Sequence, residues 1–284
     1  MKTVLSFFLI LLFPACAAQT RVPGDVRFAL MGDTPYSEQE ADRLDRLIED
    51  LNQEDLAFVV HVGDITSGRG PCTNDWFRER KRQFEKIRHA FVLLPGDNDW
   101  TDCHRTGYAP TERLHYWRSL FCEGKFPRGL ERQRGEYCEH ARWTAGDTLF
   151  VALNVQGSNN NLGRTTGMDA EHLARMKAVL AWIDDSERVL RSRKLARIVL
   201  MMQANPFHKP RAGPNGFEEL LERVKRLVAD NPRAVVLVNG DSHTYRDDEP
   251  LPGLRRIEPW GSPIVSWLRG SITSEMTLGV AGLY

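Results

Sequence analysis

An α/β fold follows from two features of the chain. Four apolar runs with the composition of buried strands each stop at Gly-Asp: Phe28-Ala29-Leu30-Met31-Gly32-Asp33, Val59-Val60-His61-Val62-Gly63-Asp64, Val92-Leu93-Leu94-Pro95-Gly96-Asp97 and Val235-Val236-Leu237-Val238-Asn239-Gly240-Asp241. Stretches with apolar residues at helical spacing lie between them, and that alternation builds βαβ units. In such sheets ligands gather outside the carboxyl ends of the strands, so the four aspartates can converge on one place. Gly24-Asp25 and Gly146-Asp147 stand before apolar runs and read as ordinary turns.

Taken in order, Val26 to Met31 reads as a strand. Glu38 to Leu51 reads as a helix with Leu44, Leu47, Ile48 and Leu51 on one face, and Ala57 to Val62 as a buried strand. The unit repeats with a helix from Asn74 to about His89, carrying Trp76, Phe77, Phe84 and Ile87, and a strand from Ala90 to Leu94. Residues 100–139 form an irregular, charged excursion with three cysteines and one helix, Thr111 to Phe121. A strand at Leu149 to Val155 precedes the polar stretch Gly157-Ser158 to Asn161, which reads as a flexible turn or a substrate loop. A long helix from Asp169 to about Leu190 follows, with Leu173, Met176, Leu180 and Ile183 as its expected buried stripe. Then come a strand at Arg197 to Met202, a helix at Phe217 to Ala229, the strand Ala234 to Val238, and a tail of meandering strands at 254–258, 264–268 and 276–280.

Lys2, the apolar stretch Val4 to Phe13 and the small residues around Ala15 to Ala18 read as a secretory signal over residues 1–18, too short to span a bilayer. Lipidation of Cys16 is the competing outcome. Either one leaves Cys72, Cys103, Cys122 and Cys138, an even number in an exported chain, and two disulfides are the default. Of three connectivities, Cys72 with Cys103 and Cys122 with Cys138 is favoured, because the first ties together the loops after the second and third Gly-Asp motifs. No C-x-x-C pair points to structural zinc. Residues 19–284 contain no internal linker, repeat or transmembrane run and read as one domain. With 38 basic and 38 acidic residues the net charge is zero, which removes any global electrostatic signature for nucleic acid. G-x-S-x-G elbows, H-E-x-x-H helices and phosphate-cradling Walker loops are absent from the sequence.

Five blocks in order resemble the calcineurin-like metallophosphoesterase superfamily: Gly32-Asp33-Thr34-Pro35-Tyr36, Gly63-Asp64, Gly96-Asp97-Asn98-Asp99, Met202-Gln203-Ala204-Asn205-Pro206 and Gly240-Asp241-Ser242-His243. The resemblance spans about residues 26–270. It implies a four-layer αββα sandwich of two mixed sheets flanked by helices, and two divalent metal ions. Asp33, Asp64 and His243 are the implied ligands of one ion; Asp64, Asp97 and Asp241 those of the other, with Gln203 or Asn205 adding to it. Departures are informative. Pro35 stands where the family has a histidine, next to Tyr36, a residue type that ligates iron in the related purple acid phosphatases. Asp97 and Asn98 replace the usual Asn and His, and Asp241 replaces a histidine. Oxygen donors in place of imidazoles favour manganese, magnesium or calcium over iron or zinc.

The expected activity is hydrolysis of a phosphate mono- or diester, on a small molecule or a polymer, by attack of a metal-bound hydroxide. Asn98 cannot protonate a leaving group, so it is assigned to orienting phosphate, with Asp99 and His104 as the nearest acids in sequence. A non-catalytic binding module that has lost part of its metal site is the alternative. His61, inside a buried strand, reads as a satisfied core histidine and His208 as a surface one.

Overall fold

The computed structural model describes residues 25–208, 213–273 and 278–283; the expected signal segment and Cys16 lie outside the described residues. Strands β1 (Val26–Met31), β2 (Phe58–His61) and β3 (Ala90–Leu93) run parallel in one five-stranded sheet, with β11 (Trp267–Ile272) antiparallel to β1 and β12 (Leu278–Leu283) at the edge. The second sheet has seven strands, in the order β4 (Glu131–Arg132), β5 (Ala141–Ala145), β6 (Thr148–Ala152), β7 (Arg197–Met201), β8 (Val235–Val238), β10 (Leu254–Glu258) and β9 (Arg246–Leu251). Both sheets are mixed, because antiparallel strands flank a parallel centre.

Alternation along the strands builds the layers. Phe28 and Leu30 of β1 face the second sheet, where they join Phe58, Val60, Trp143, Phe150, Val199, Met201, Val236 and Val238 in one buried core. Rings fill it: Phe28 and Phe58 stack at 5.1 Å between centroids, and Phe150 meets both edge-on. Ala29, Met31, Val59 and Leu93 point the other way, under helices α1 (Glu38–Gln53), α2 (Asn74–Phe84) and α3 (Pro110–Phe121). On the far side, α4 (Thr166–Ser192) and α5 (Glu218–Asp230) cover β6, β7 and β8 through Met176, Val179, Ile183, Leu220, Val224 and Leu227. This is the four-layer arrangement of helices, two sheets and helices.

Several details differ from the expected elements. Leu173 is 60% exposed, although helical spacing placed it on the buried stripe of α4. The stripe is rotated, with His172, Arg175, Met176 and Val179 inward, because this end of α4 packs on a polar loop instead of the apolar core. Helix α2 stops at Phe84, five residues before the expected His89. Strands β4, β5 and β9 were not anticipated, and the strand expected at 264–268 begins at Trp267, as β11. Both disulfides have the favoured pairing, Cys72–Cys103 and Cys122–Cys138, and the latter fastens the end of α3 near β5. No helix among the described residues is long and apolar enough to cross a membrane.

Candidate functional site

Every loop that leaves the carboxyl end of a parallel strand near the sandwich centre contributes to one cluster: Asp33 after β1, Asp64 after β2, Asp97 after β3, Gln203 after β7, and Asp241 and His243 after β8. Asp33, Asp64 and Asp97 are buried and Asp241 is half-buried. Among the described residues no lysine or arginine pairs with any of the four; the sole cation-capable partner is His243, whose Nε2 lies 3.8 Å from Asp33 Oδ1.

The Gly-Asp motifs interlock, which accounts for their composition. A Cβ on Gly96 would stand 1.9 Å from Asp64 Oδ1, and one on Gly240 would stand 2.3 Å from Asp33 Oδ2. The glycine of the third motif therefore makes room for the aspartate of the second, and the glycine of the fourth for the aspartate of the first. Asp33, Asp64, Asp241 and His243 have φ of 51°, 61°, 76° and 55°, in the left-handed region that side chains rarely adopt. Such backbone costs about 1 kcal/mol or more per residue and concentrates at functional sites.

Tyr36 sits at the centre of the polar contacts. Its hydroxyl donates to Asp64 Oδ2 at 3.0 Å and accepts from Asn98 Nδ2 at 3.0 Å. The Asn98 backbone N–H donates to Asp64 Oδ1 at 3.0 Å. His243 Nδ1 lies 2.8 Å from the Ser262 carbonyl, which assigns its proton to Nδ1 and turns the Nε2 lone pair toward Tyr36, 3.1 Å from the phenol oxygen. A histidine held this way by a backbone carbonyl is oriented to ligate through Nε2. Gln203 Nε2 donates to Asp64 at 3.1 Å, while its Oε1 accepts from Gly157 N at 2.6 Å. Asp241 N–H donates to Asp33 at 3.0 Å, and Asn205 N–H donates to Asp241 at 3.3 Å.

Burial, then the proximity of Asp241, pushes the Asp33 carboxyl well above the usual carboxylate range, and burial with Asp97 does the same to Asp64. Asp97 is pushed up to about 8 by burial and by Asp241, and Asp241 is itself raised by burial. Burial and the Asp64 charge keep the Tyr36 phenol protonated far above its ordinary value. All these shifts have one origin, negative charge held out of water without cations.

Other expected site residues have their polar atoms committed elsewhere. Asp99 accepts from the backbone N–H groups of Gly96 (2.8 Å), Ile65 (2.8 Å) and Asp64 (3.1 Å), so it ties the second motif to the third. His104 is exposed and bonds the Thr101 carbonyl at 2.7 Å. Asn205 Oδ1 accepts from Phe207 N and Arg256, and its Nδ2 donates to Ser242. His61 has both ring nitrogens bonded, to Thr34 O and Gly63 N, and burial holds its pKa down to about 4, so it is a neutral core histidine. His208 is exposed.

One contributor was missed. Ser158, Asn159, Asn160 and Asn161 form a single left-handed turn, with φ between 50° and 69°. It is fixed and largely buried: Arg175 donates to Asn160 Oδ1 at 2.6 Å, and Asn160 donates to the Gly216 carbonyl. The Ser158 hydroxyl lies 2.7 Å from Asp97 Oδ2 and 2.8 Å from Asp102 Oδ2, and donates to one of them at a time. Its run of asparagines, tolerant of left-handed backbone, was the available signal.

A family model for calcineurin-like phosphoesterases matches residues 26–245, more than half of the chain. Among solved structures, a dimetal phosphatase from Danio rerio is similar over 90% of this chain and 95% of its own, with 14% identity and a TM-score of 0.56. The purple acid phosphatase PPD1 from yellow lupin (Lupinus luteus) is similar over 87% of this chain, with 12% identity and a TM-score of 0.50, and this chain spans about half of its length. At these identities the structural likeness establishes the fold. No curated protein sequence matches the chain.

Proposed function

Since the chain belongs to the calcineurin-like phosphoesterase family, a family of phosphoric ester hydrolases that use divalent metal ions, we propose that the strand-end aspartate cluster is its active centre and that it hydrolyses a phosphate mono- or diester outside the cytoplasm. The two disulfides support export.

One observation carries the site assignment: four carboxylates gathered with no lysine or arginine partner among the described residues, one oxygen of which, Asp97 Oδ1, is buried without any hydrogen bond. Both carboxylates close on the Cα of Gly157, where a Cβ would stand 2.6 Å from Asp241 Oδ1 and 2.9 Å from Asp97 Oδ1. An orphaned buried oxygen with a second carboxylate drawn to the same glycine fits a cation. Asp33, Asp64 and His243 are the proposed holders of one ion, with Tyr36 beside them; Asp64, Asp97 and Asp241 are those of a second. Oxygen donors dominate, which favours manganese, magnesium or calcium. Bound there, divalent ions supply a nucleophile at neutral pH and offset charge on the phosphoryl oxygens.

The chain's own residues do the rest. Asn98 offers an amide N–H to orient a phosphoryl oxygen, and carries no titratable proton for the leaving group. Gln203 holds Asp64 with its amide nitrogen and Gly157 with its amide oxygen, so its part is positioning. Asp99 positions the backbone of the second and third motifs. Asp64→Ala is expected to abolish manganese binding, read by calorimetry, and release of nitrophenol from an aryl phosphate diester, with circular dichroism unchanged. Full activity in that variant refutes the two-ion assignment.

A further inference from the structure

Beyond the carboxylate cluster, the segment after the third motif brings two guanidinium groups to one carboxylate. Asp102 is 2% exposed; Arg105 reaches its Oδ2 at 2.7 Å and Arg164 pairs with its Oδ1. One positive charge is thereby left over on a chain whose net charge is zero. Both arginines stay open to solvent, at 38% and 22% of their side-chain surface.

Each is also one side chain from the aspartate cluster. A Cβ on Gly68 would stand 2.9 Å from both Arg105 Nη1 and Asn98 Oδ1, so the Arg105 guanidinium and the Asn98 amide flank the same face of Gly68. Asn98 in turn donates to Tyr36 and Asp64. On the other side, Asp102, which holds Arg164, shares the Ser158 hydroxyl with Asp97. The Arg164 guanidinium is fixed as well by the Thr101 carbonyl, at 2.9 Å. Arg105 makes its bonds to Gly68 O and Asp102 through Nη1, at one corner of a fork that carries five N–H donors.

A tie between two loops needs one arginine on Asp102. A second, half-open one leaves a surplus cation at the rim of an anionic site, and planar forks of this kind suit carboxylate and phosphate oxygens. We infer that Arg105 and Arg164 form a recognition subsite for a second anionic group, so that the preferred substrate is a phosphoester bearing another carboxylate or phosphate beside the ester to be cleaved. This deepens the hydrolase assignment of the same site and rests on it.

The test uses matched pairs that differ in one anionic group: 3-phosphoglycerate against glycerol 3-phosphate, and fructose 1,6-bisphosphate against fructose 6-phosphate. Binding to the manganese-loaded, full-length protein is measured by calorimetry, and phosphate release is measured separately. A charge-assisted contact of this kind predicts about 10- to 100-fold tighter binding of the doubly anionic member of at least one pair. In Arg105→Gln and Arg164→Gln that ratio falls toward one, and Arg105→Lys, which keeps the charge and loses the fork, restores part of it. Equal affinities within both pairs for the wild type, or a preference that survives in both glutamine variants, overturns the subsite. Absence of phosphate release from every compound, with the binding preference intact, instead refutes the hydrolase assignment and leaves the subsite standing.

Discussion

Gly157→Ala probes the close approach of Asp97 and Asp241 to one glycine without replacing a proposed ligand. Gly157 lies outside the left-handed region, so alanine brings no backbone penalty of its own. Its methyl would meet Asp241 Oδ1 at 2.6 Å and Asp97 Oδ1 at 2.9 Å, distances that real Cβ atoms do not tolerate. The carboxylates must part by about 0.5 Å or more to regain ordinary contact, an overpacking cost of about 1–3 kcal/mol. Ligand distances in a working metal site hold within about 0.2 Å, so the second ion's holders are expected to lose their geometry. Manganese at a hundred times its dissociation constant stabilises the wild type by about 2.7 kcal/mol. At about 2–4 °C per kcal/mol for a chain of this size, that is a rise in Tm of about 5–10 °C over a chelator control. The variant is expected to show a small fraction of that rise and to lose phosphate release in parallel. A manganese-dependent shift equal to the wild type's would refute the idea that Asp97 and Asp241 share an ion across Gly157.

Three further outcomes follow from the structure. Asp97, pushed up to about 8 by burial and by Asp241, keeps its proton in the folded state where the unfolded chain ionises near 3.8, so metal-free stability falls as pH rises from that value toward 8. Asp97→Asn cannot ionise; in chelator at pH 8 its Tm should exceed the wild type's, whereas with manganese the order should reverse, and a variant less stable in both conditions counts against the charge-repulsion account. His140 is buried, donates from Nδ1 to Gln133 Oε1 at 2.6 Å and is held down to about 4 by burial. Its neutral form thus contributes stability above pH 6.5 that is lost between 6.5 and 4, up to about 3 kcal/mol in urea titrations; His140→Phe should flatten that part of the profile, and an unchanged slope would exclude His140 as its source. Removing Cys72–Cys103, which closes a separation of 31 residues, should cost about 3–4 kcal/mol on the chain-entropy account, and a loss below about 1 kcal/mol in the double serine variant would mean that the loops are held without it.

The sandwich was legible where burial is two-sided. Runs such as Phe28 to Met31 and Val235 to Val238 are apolar on both faces because each strand lies between a helix layer and the opposite sheet, and that continuity marked them. Strand β9 escaped notice for the opposite reason. Arg246-Asp247-Asp248-Glu249 sits at the edge of its sheet, paired only with β10, and charges suited to an unpaired edge resemble a loop. Strand β5 lies just past the charged excursion: Ala141 and Trp143 face the core, but five residues give the period little room to show. Leu173 failed because helical spacing fixes which residues share a face and leaves open which face is covered; the neighbour of that end of α4 is the Asn160 turn, which selects His172 and Arg175 instead.

The site was legible as a set of aspartates and illegible as a set of partners. Each Gly-Asp pair was readable alone, yet the glycine's purpose is nonlocal: Gly96 yields space to Asp64 and Gly240 to Asp33. Nothing in the sequence links residue 240 to residue 33. The same limit hid Ser158, whose hydroxyl reaches Asp97 only because four successive residues adopt left-handed backbone, a conformation that local propensity disfavours and that Arg175 and Gly216 hold from outside. Sequence patterns report what each residue does to its own segment. In this fold, five of the residues that carry the centre's contacts, Asp33, Asp64, Ser158, Asp241 and His243, stand in strained left-handed backbone, whereas Tyr36, Asp97, Asn98 and Gln203 do not. Fragments of sequence would relax that strain, and only the assembled sandwich holds it. The energy stored there is released if the loops move, so loops of this kind persist where the fixed position of a side chain matters more than the stability it costs, and the aspartate cluster is that place.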